Sequence, residues 1–139
     1  MENKDYDNAI SIFKRMTDKY DDADSYYQLG TLFYDKGKYS NAMQAFKNAL
    51  QFSQPYSELY FDIQHNIGLC NYEMKHYDEA IERFKAVLAI KDNDAESLYN
   101  LALLYIRKGD RTEASKIIKR LENLNKEFAN KLNDEYRLI

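Results

Sequence analysis

Apolar residues recur along this chain at i, i+3, i+4 and i+7 in one segment after another, the spacing of helices that each bury one face. The segment Tyr77-Asp78-Glu79-Ala80-Ile81-Glu82-Arg83-Phe84 has three relatives in the same chain. They are Tyr6-Asp7-Asn8-Ala9-Ile10-Ser11-Ile12-Phe13, Tyr39-Ser40-Asn41-Ala42-Met43-Gln44-Ala45-Phe46 and Arg111-Thr112-Glu113-Ala114-Ser115-Lys116-Ile117-Ile118. Alanines fall at 9, 42, 80 and 114, and Phe13, Phe46, Phe84 and Ile118 keep the same intervals, so one register serves both series. A second set lies upstream of the last three: Leu29-Gly30, Ile67-Gly68 and Leu101-Ala102. Each unit therefore holds two amphipathic helices.

The small residues are expected to bring the two helices of a unit together. Gly30, Gly68 and Ala102 on the first helix face Ala42, Ala80 and Ala114 on the second, and the missing side chains allow close backbone approach. Lys36-Gly37-Lys38 and Lys108-Gly109-Asp110 place glycine and cations just past a helix end, whereas the middle unit has Lys75-His76 there. The interval between the first and second full units is four residues longer than the next, with the extra residues around Pro55-Tyr56-Ser57-Glu58-Leu59-Tyr60. Ser57 is a candidate cap, so the first helix of the middle unit is expected to begin about one turn early; a longer loop is the alternative.

The pattern Tyr26-x-x-Leu29-Gly30-x-x-Phe33, followed by Ala42, Phe46 and Ala49, resembles the tetratricopeptide repeat. The second unit departs by carrying Gln64 in the large aromatic slot, and the third by Leu98 there and Ala102 for glycine. The resemblance implies an all-α, right-handed superhelical solenoid. Its expected divisions are a half-repeat at 1–22 (second helix only), full repeats at 23–60, 61–94 and 95–128, and a capping helix at 129–139.

Both ends carry expectations. The half-repeat leaves Ile10 and Phe13 with apolar surface uncovered. Either Met1 begins a fragment of a longer array, or this helix packs on something else, a second copy through Ile10 and Phe13 included. The fragment is favoured, because solenoids normally end in polar capping units. At the other end Leu124, Phe128, Leu132, Tyr136 and Ile139 make one stripe, with Tyr136 where a further repeat would need a small residue.

Composition narrows the classes. At 139 residues, with 45% apolar and 31% charged residues, the chain can bury a core and is not disordered. Four glycines and one proline are too few for a β-rich domain of this size. The net charge of −3, with Lys and Arg interspersed among Asp and Glu, gives no basic patch for nucleic acid. No apolar run suits a leader peptide or a membrane span. A lone cysteine, Cys70, excludes an internal disulfide and fits a reducing compartment, the cytoplasm.

Chemistry has no foothold. Cys70 occupies the slot of Leu32 and Leu104, a packing position, and His65 and His76 do not share its helical side. Neither a nucleophile–base pair, nor a metal site, nor a phosphate-cradling loop follows, and no cofactor is expected. Not an enzyme, the chain reads as a scaffold that binds another protein. The alternatives are an assembly segment of a larger multi-repeat protein, or a regulatory arm of one.

In the tetratricopeptide resemblance the first helices line a concave groove. Mapped here, that groove takes Tyr27, Gln28, Thr31 and Tyr34, then His65, Asn66, Leu69 and Tyr72, then Tyr99, Asn100, Leu103 and Ile106. Gln28, Asn66 and Asn100 share one slot, so a primary amide, both donor and acceptor, recurs where it can meet a peptide backbone. A polar helix position filled by common residues explains the same row. Asp24, Asp35, Asp62, Glu73 and Glu96 rim the face against Arg107, so the expected ligand is an apolar or aromatic peptide with basic flanks. Of the slots that family members use to clamp a terminal carboxylate, only Asn66 matches, which disfavours that role.

Overall fold

The computed structural model describes residues 3–138, and among them the chain is eight α-helices with no strand. These are α1 (Asn3–Lys19), α2 (Ala23–Asp35), α3 (Tyr39–Phe52), α4 (Glu58–Glu73), α5 (Tyr77–Leu88), α6 (Ala95–Lys108), α7 (Arg111–Leu124) and α8 (Lys126–Leu138). They fall into two compact units that divide between Met74 and Lys75.

Side-chain caps start the first helix of each pair. Asp22 accepts from the amides of Asp24 and Ser25 to open α2, Ser57 from Tyr60 to open α4, and Asp94 from Ser97 to open α6. Each satisfies a backbone donor that the first helical turn leaves unpaired. With Ser57 as cap, α4 begins at Glu58, the early start the insertion implied. The turns after these helices share a left-handed residue at matching positions: Gly37 (φ 78°), Lys75 (φ 62°) and Gly109 (φ 80°).

In the first unit α2 packs against α1 and α3, and α3 against α4. Its core joins Ile10, Leu29, Phe33, Ala42, Phe46, Ala49, Ile63, Ile67 and Cys70. Gly30 is buried, and the space its missing side chain leaves is filled by the Phe46 ring rather than by Ala42. Phe46 lies one helical turn beyond Ala42 and is long enough to reach across. Gln64, in the aromatic slot of the second repeat, is buried and donates its Nε2 to the Tyr60 hydroxyl at 3.2 Å.

Ile10 and Phe13 do not carry the uncovered surface expected of them. Ile10 is buried and Phe13 is packed against the same core, because both turn toward α2. The exposed apolar residues of this region are Ile12 (51%), Met16 (38%) and Tyr20.

In the second unit α6 packs against α5, α7 and α8, and α8 also rests on α7. Of the anticipated stripe, Leu124 ends α7 and is exposed, and Ile139 lies outside the described residues. Leu132 is fully buried, as is Ala129, which the stripe omitted. Tyr136 is held by Arg111, 4.1 Å from its ring centroid, and by the Ser115 hydroxyl, which donates to its phenolic oxygen at 3.3 Å. One ion pair recurs in both units: Lys36 at the end of α2 meets Asp7 of α1, and Lys108 at the end of α6 meets Asp78 of α5.

Candidate functional site

The anticipated groove residues lie on α2, α4 and α6. On α2, Gln28 is exposed while Tyr27, Thr31 and Tyr34 are half-buried. On α4, His65, Asn66, Leu69 and Tyr72 are all half-buried. Half-burial suits a docking surface: the side chains are positioned by packing yet keep one side open.

Two bonds lace α2 to α4. Asn66 donates its Nδ2 to the Tyr27 hydroxyl at 3.1 Å, and the Tyr34 hydroxyl donates to Glu73 Oε1 at 3.2 Å. The two tyrosines are seven residues apart, as are their partners, so the bonds stand two turns from one another along both helices. Burial and the neighbouring Asp62 carboxylate hold the Tyr27 phenol above its usual range, against the lowering effect of the Asn66 bond. Burial first, then the Glu73 charge and bond, raise Tyr34, so its hydroxyl remains a donor. Thr31 turns its hydroxyl inward to the Tyr27 carbonyl at 3.0 Å.

Asn66 therefore has one amide N–H committed and its carbonyl oxygen without a partner among the described residues. An amide fixed in this way presents an acceptor beside a remaining donor, the pair that a peptide unit requires.

On α6 the expectation needs correcting. Tyr99, Asn100 and Leu103 are half-buried, but Ile106 is buried at 3% exposure and belongs to the packing of α6 among α5, α7 and α8. The Tyr99 ring packs on Phe128 of α8 with centroids 5.0 Å apart, and Arg107 pairs with Glu135 of α8 at 3.2 Å. Phe128 and Glu135, seven residues apart, stand to α6 much as Asn66 and Glu73 stand to α2. Helix α8 takes the place of a next first helix, with an aromatic ring where α4 carries its amide. The sequence stripe led to the expectation of a terminal capping helix but not to this register, because α8 follows α7 after one residue and so leaves the repeat.

The candidate nucleophile is packed away. Cys70 has no exposed surface, and burial pushes its thiol up to about 12, with Glu73 adding to the effect. Among the described residues no group of three or more His, Cys, Asp and Glu side chains could hold a metal ion, and no helix is long and apolar enough to cross a membrane.

Two tetratricopeptide-repeat family models match the sequence, one over residues 21–93, just over half of the chain, and one over 71–130. The chain belongs to the tetratricopeptide repeat family. No enzyme family is among the matched models. Solved structures agree on the fold. This tetratricopeptide-repeat chain superposes on MamA with a TM-score of 0.78 at 25% identity, over 90% of its own length and 71% of that chain. Residues 41 to the end of MamA from Desulfovibrio magneticus RS-1 give 0.74 at 22% identity, covering 96% and 78%. YrrB, described as a tetratricopeptide-repeat protein with an unusual peptide-binding site, gives 0.81 at 19% identity, covering 94% and 67%. No curated protein sequence matches closely enough to be called a relative.

Proposed function

We propose that this chain is a protein-interaction module that holds an extended segment of a partner protein along α2 and α4, with Asn66 as the central anchor. The observation that carries this reading is the Asn66 amide, tied on one side to the Tyr27 hydroxyl and left with an open carbonyl oxygen. That oxygen accepts from a ligand backbone N–H, and the remaining Nδ2–H donates to a ligand carbonyl. Backbone pairing of this kind tolerates varied ligand sequence, and Leu69 and Tyr72 beside it supply apolar area. A peptide-binding site in YrrB supports the assignment by analogy.

Acidic groups set the preferred ligand. Asp24, Asp35, Asp62 and Glu73 are exposed on α2 and α4, so a ligand with basic residues flanking an apolar or aromatic centre is favoured. Its binding weakens with salt. A reducing, cytoplasmic setting suits a chain whose one cysteine is kept in the core as a free thiol.

The test is a peptide array followed by calorimetry of the best binders against wild type and Asn66→Ala. Losing two backbone hydrogen bonds is worth about 1–3 kcal/mol, roughly a fivefold to 150-fold weaker Kd. Unchanged affinity in a variant that keeps its helical circular dichroism would remove the site from α2 and α4.

A further inference from the structure

The four second-type helices share a register that predicts which of their positions should be covered. Ala42, Ala80 and Ala114 are fully buried, as are Ala49 and Leu121, while Val87 is at 4%. At the next position Ala45 and Ile117 are at 4% and 7%, and α5 carries the half-buried Arg83. The matching positions of α1 are Ala9, Ile12 and Met16, and here the rule breaks: Ala9 is half-buried, Ile12 is 51% exposed and Met16 is 38% exposed. Helix α3 packs against both α2 and α4, and α7 against both α6 and α8, whereas the substantial contacts of α1 are with α2.

We propose that this open face of α1 is a self-association surface, and that its occupant is the α1 of a second copy, antiparallel to the first. The charges along the face select that occupant. Asp5, Asn8, Ile12, Met16 and Lys19 follow one another at steps of three or four, a single stripe of the helix, and all five are exposed. Asp5 and Lys19 each lie seven residues from Ile12, on opposite sides, and Asn8 and Met16 each lie four away. A two-fold axis at Ile12 therefore sets Asp5 of each copy against Lys19 of the other, Asn8 against Met16, and Ile12 against itself. A parallel pair would set like charges together, which costs stability. Such a stripe is complementary to itself, as an isologous dimer contact requires. One helix pair covers less than the roughly 800 Å² per partner of a stable complex, so the dimer is weak and concentration-dependent.

Sedimentation of the full chain from about 10 µM to about 1 mM tests this. The mass of wild type is expected to rise from 16.5 kDa towards twice that value, and Ile12→Glu to hold it at the monomer. Asp5→Lys or Lys19→Asp alone is expected to raise the midpoint concentration by roughly threefold to tenfold at low salt. The double reversal restores it. A wild type that remains monomeric throughout, leaving the face to an unlike helix, overturns the proposal. So does a dimer indifferent to Ile12→Glu, or charge reversals that fail to compensate each other. Ile12 is half exposed, so its replacement spares the core, and the charge pair tests the register without touching an apolar residue.

Discussion

A Cβ built on Gly30 would stand 2.6 Å from two ring carbons of Phe46, nearer than real Cβ contacts come. Phe46 is itself 1% exposed within the core of the first unit, so the ring has nowhere to move. Two effects then oppose each other in Gly30→Ala. Helix propensity favours alanine by about 1 kcal/mol. Overpacking costs about 1–3 kcal/mol. The clash is with a closely confined ring and should win. Urea denaturation followed by circular dichroism is expected to show a net loss of about 1–2 kcal/mol, and a more stable variant would mean that the helices separate more easily than their packing implies.

The left-handed turn residues give a prediction free of packing. A side chain at Gly109 would meet nothing within 4 Å, yet its φ is +80°, so Gly109→Ala is expected to cost about 1–2 kcal/mol through backbone strain alone. Lys75 already bears that strain at φ 62°. Lys75→Gly is expected to stabilise the chain by about 0.5–1 kcal/mol, relief of strain outweighing the entropy glycine adds to the unfolded chain. Opposite shifts in thermal midpoint for the two variants check both together.

Alkaline pH should weaken the first unit. The thiol of Cys70 ionises near 9.0 when free and at about 12 in the fold, where burial disfavours the thiolate. Between those values the unfolded chain has released a proton that the folded chain keeps. The stability contributed by this group is thus complete below pH 9 and is lost as pH rises toward 12. Tyr27 and Tyr34, raised in the same sense, deepen the loss. Urea midpoints are expected to fall from pH 8 to pH 10.5, less steeply in Cys70→Ala. At pH 7 a thiol reagent should label Cys70 only when denaturant is present.

The α8 cap is tested at Leu132, which has no exposed surface. Leu132→Ala is expected to cost about 2–5 kcal/mol, the range for emptying a well-packed leucine site. The ring pair of Tyr99 and Phe128 is a local reporter, and tyrosine fluorescence should change before the far-ultraviolet signal as α8 detaches. Coincident transitions would mean that α8 unfolds together with the helices beneath it.

Helical periodicity alone determined most of the architecture. The repeated alanine and phenylalanine positions carried the helix pairs, because a spacing of 3.6 residues per turn fixes which side chains share a face whatever lies opposite. Gly37 and Gly109 marked their turns because a left-handed residue is strained with any other side chain. The early start of α4 followed from Ser57, a local cap that needs no distant partner. Which neighbour covers each face was decided only by tertiary structure. Ile10 and Ile12 look alike in the sequence, yet Ile10 is buried in the core of the first unit while Ile12 is half exposed. Ile106 followed the groove spacing and is nonetheless buried, because α6 packs against three helices. The Tyr27–Asn66 bond joins residues 39 positions apart, and the placing of Phe128 against Tyr99 depends on a one-residue connection that leaves the repeat. Periodicity is a property of one helix, whereas burial and bonding belong to pairs of helices, and no single repeat contains its neighbour.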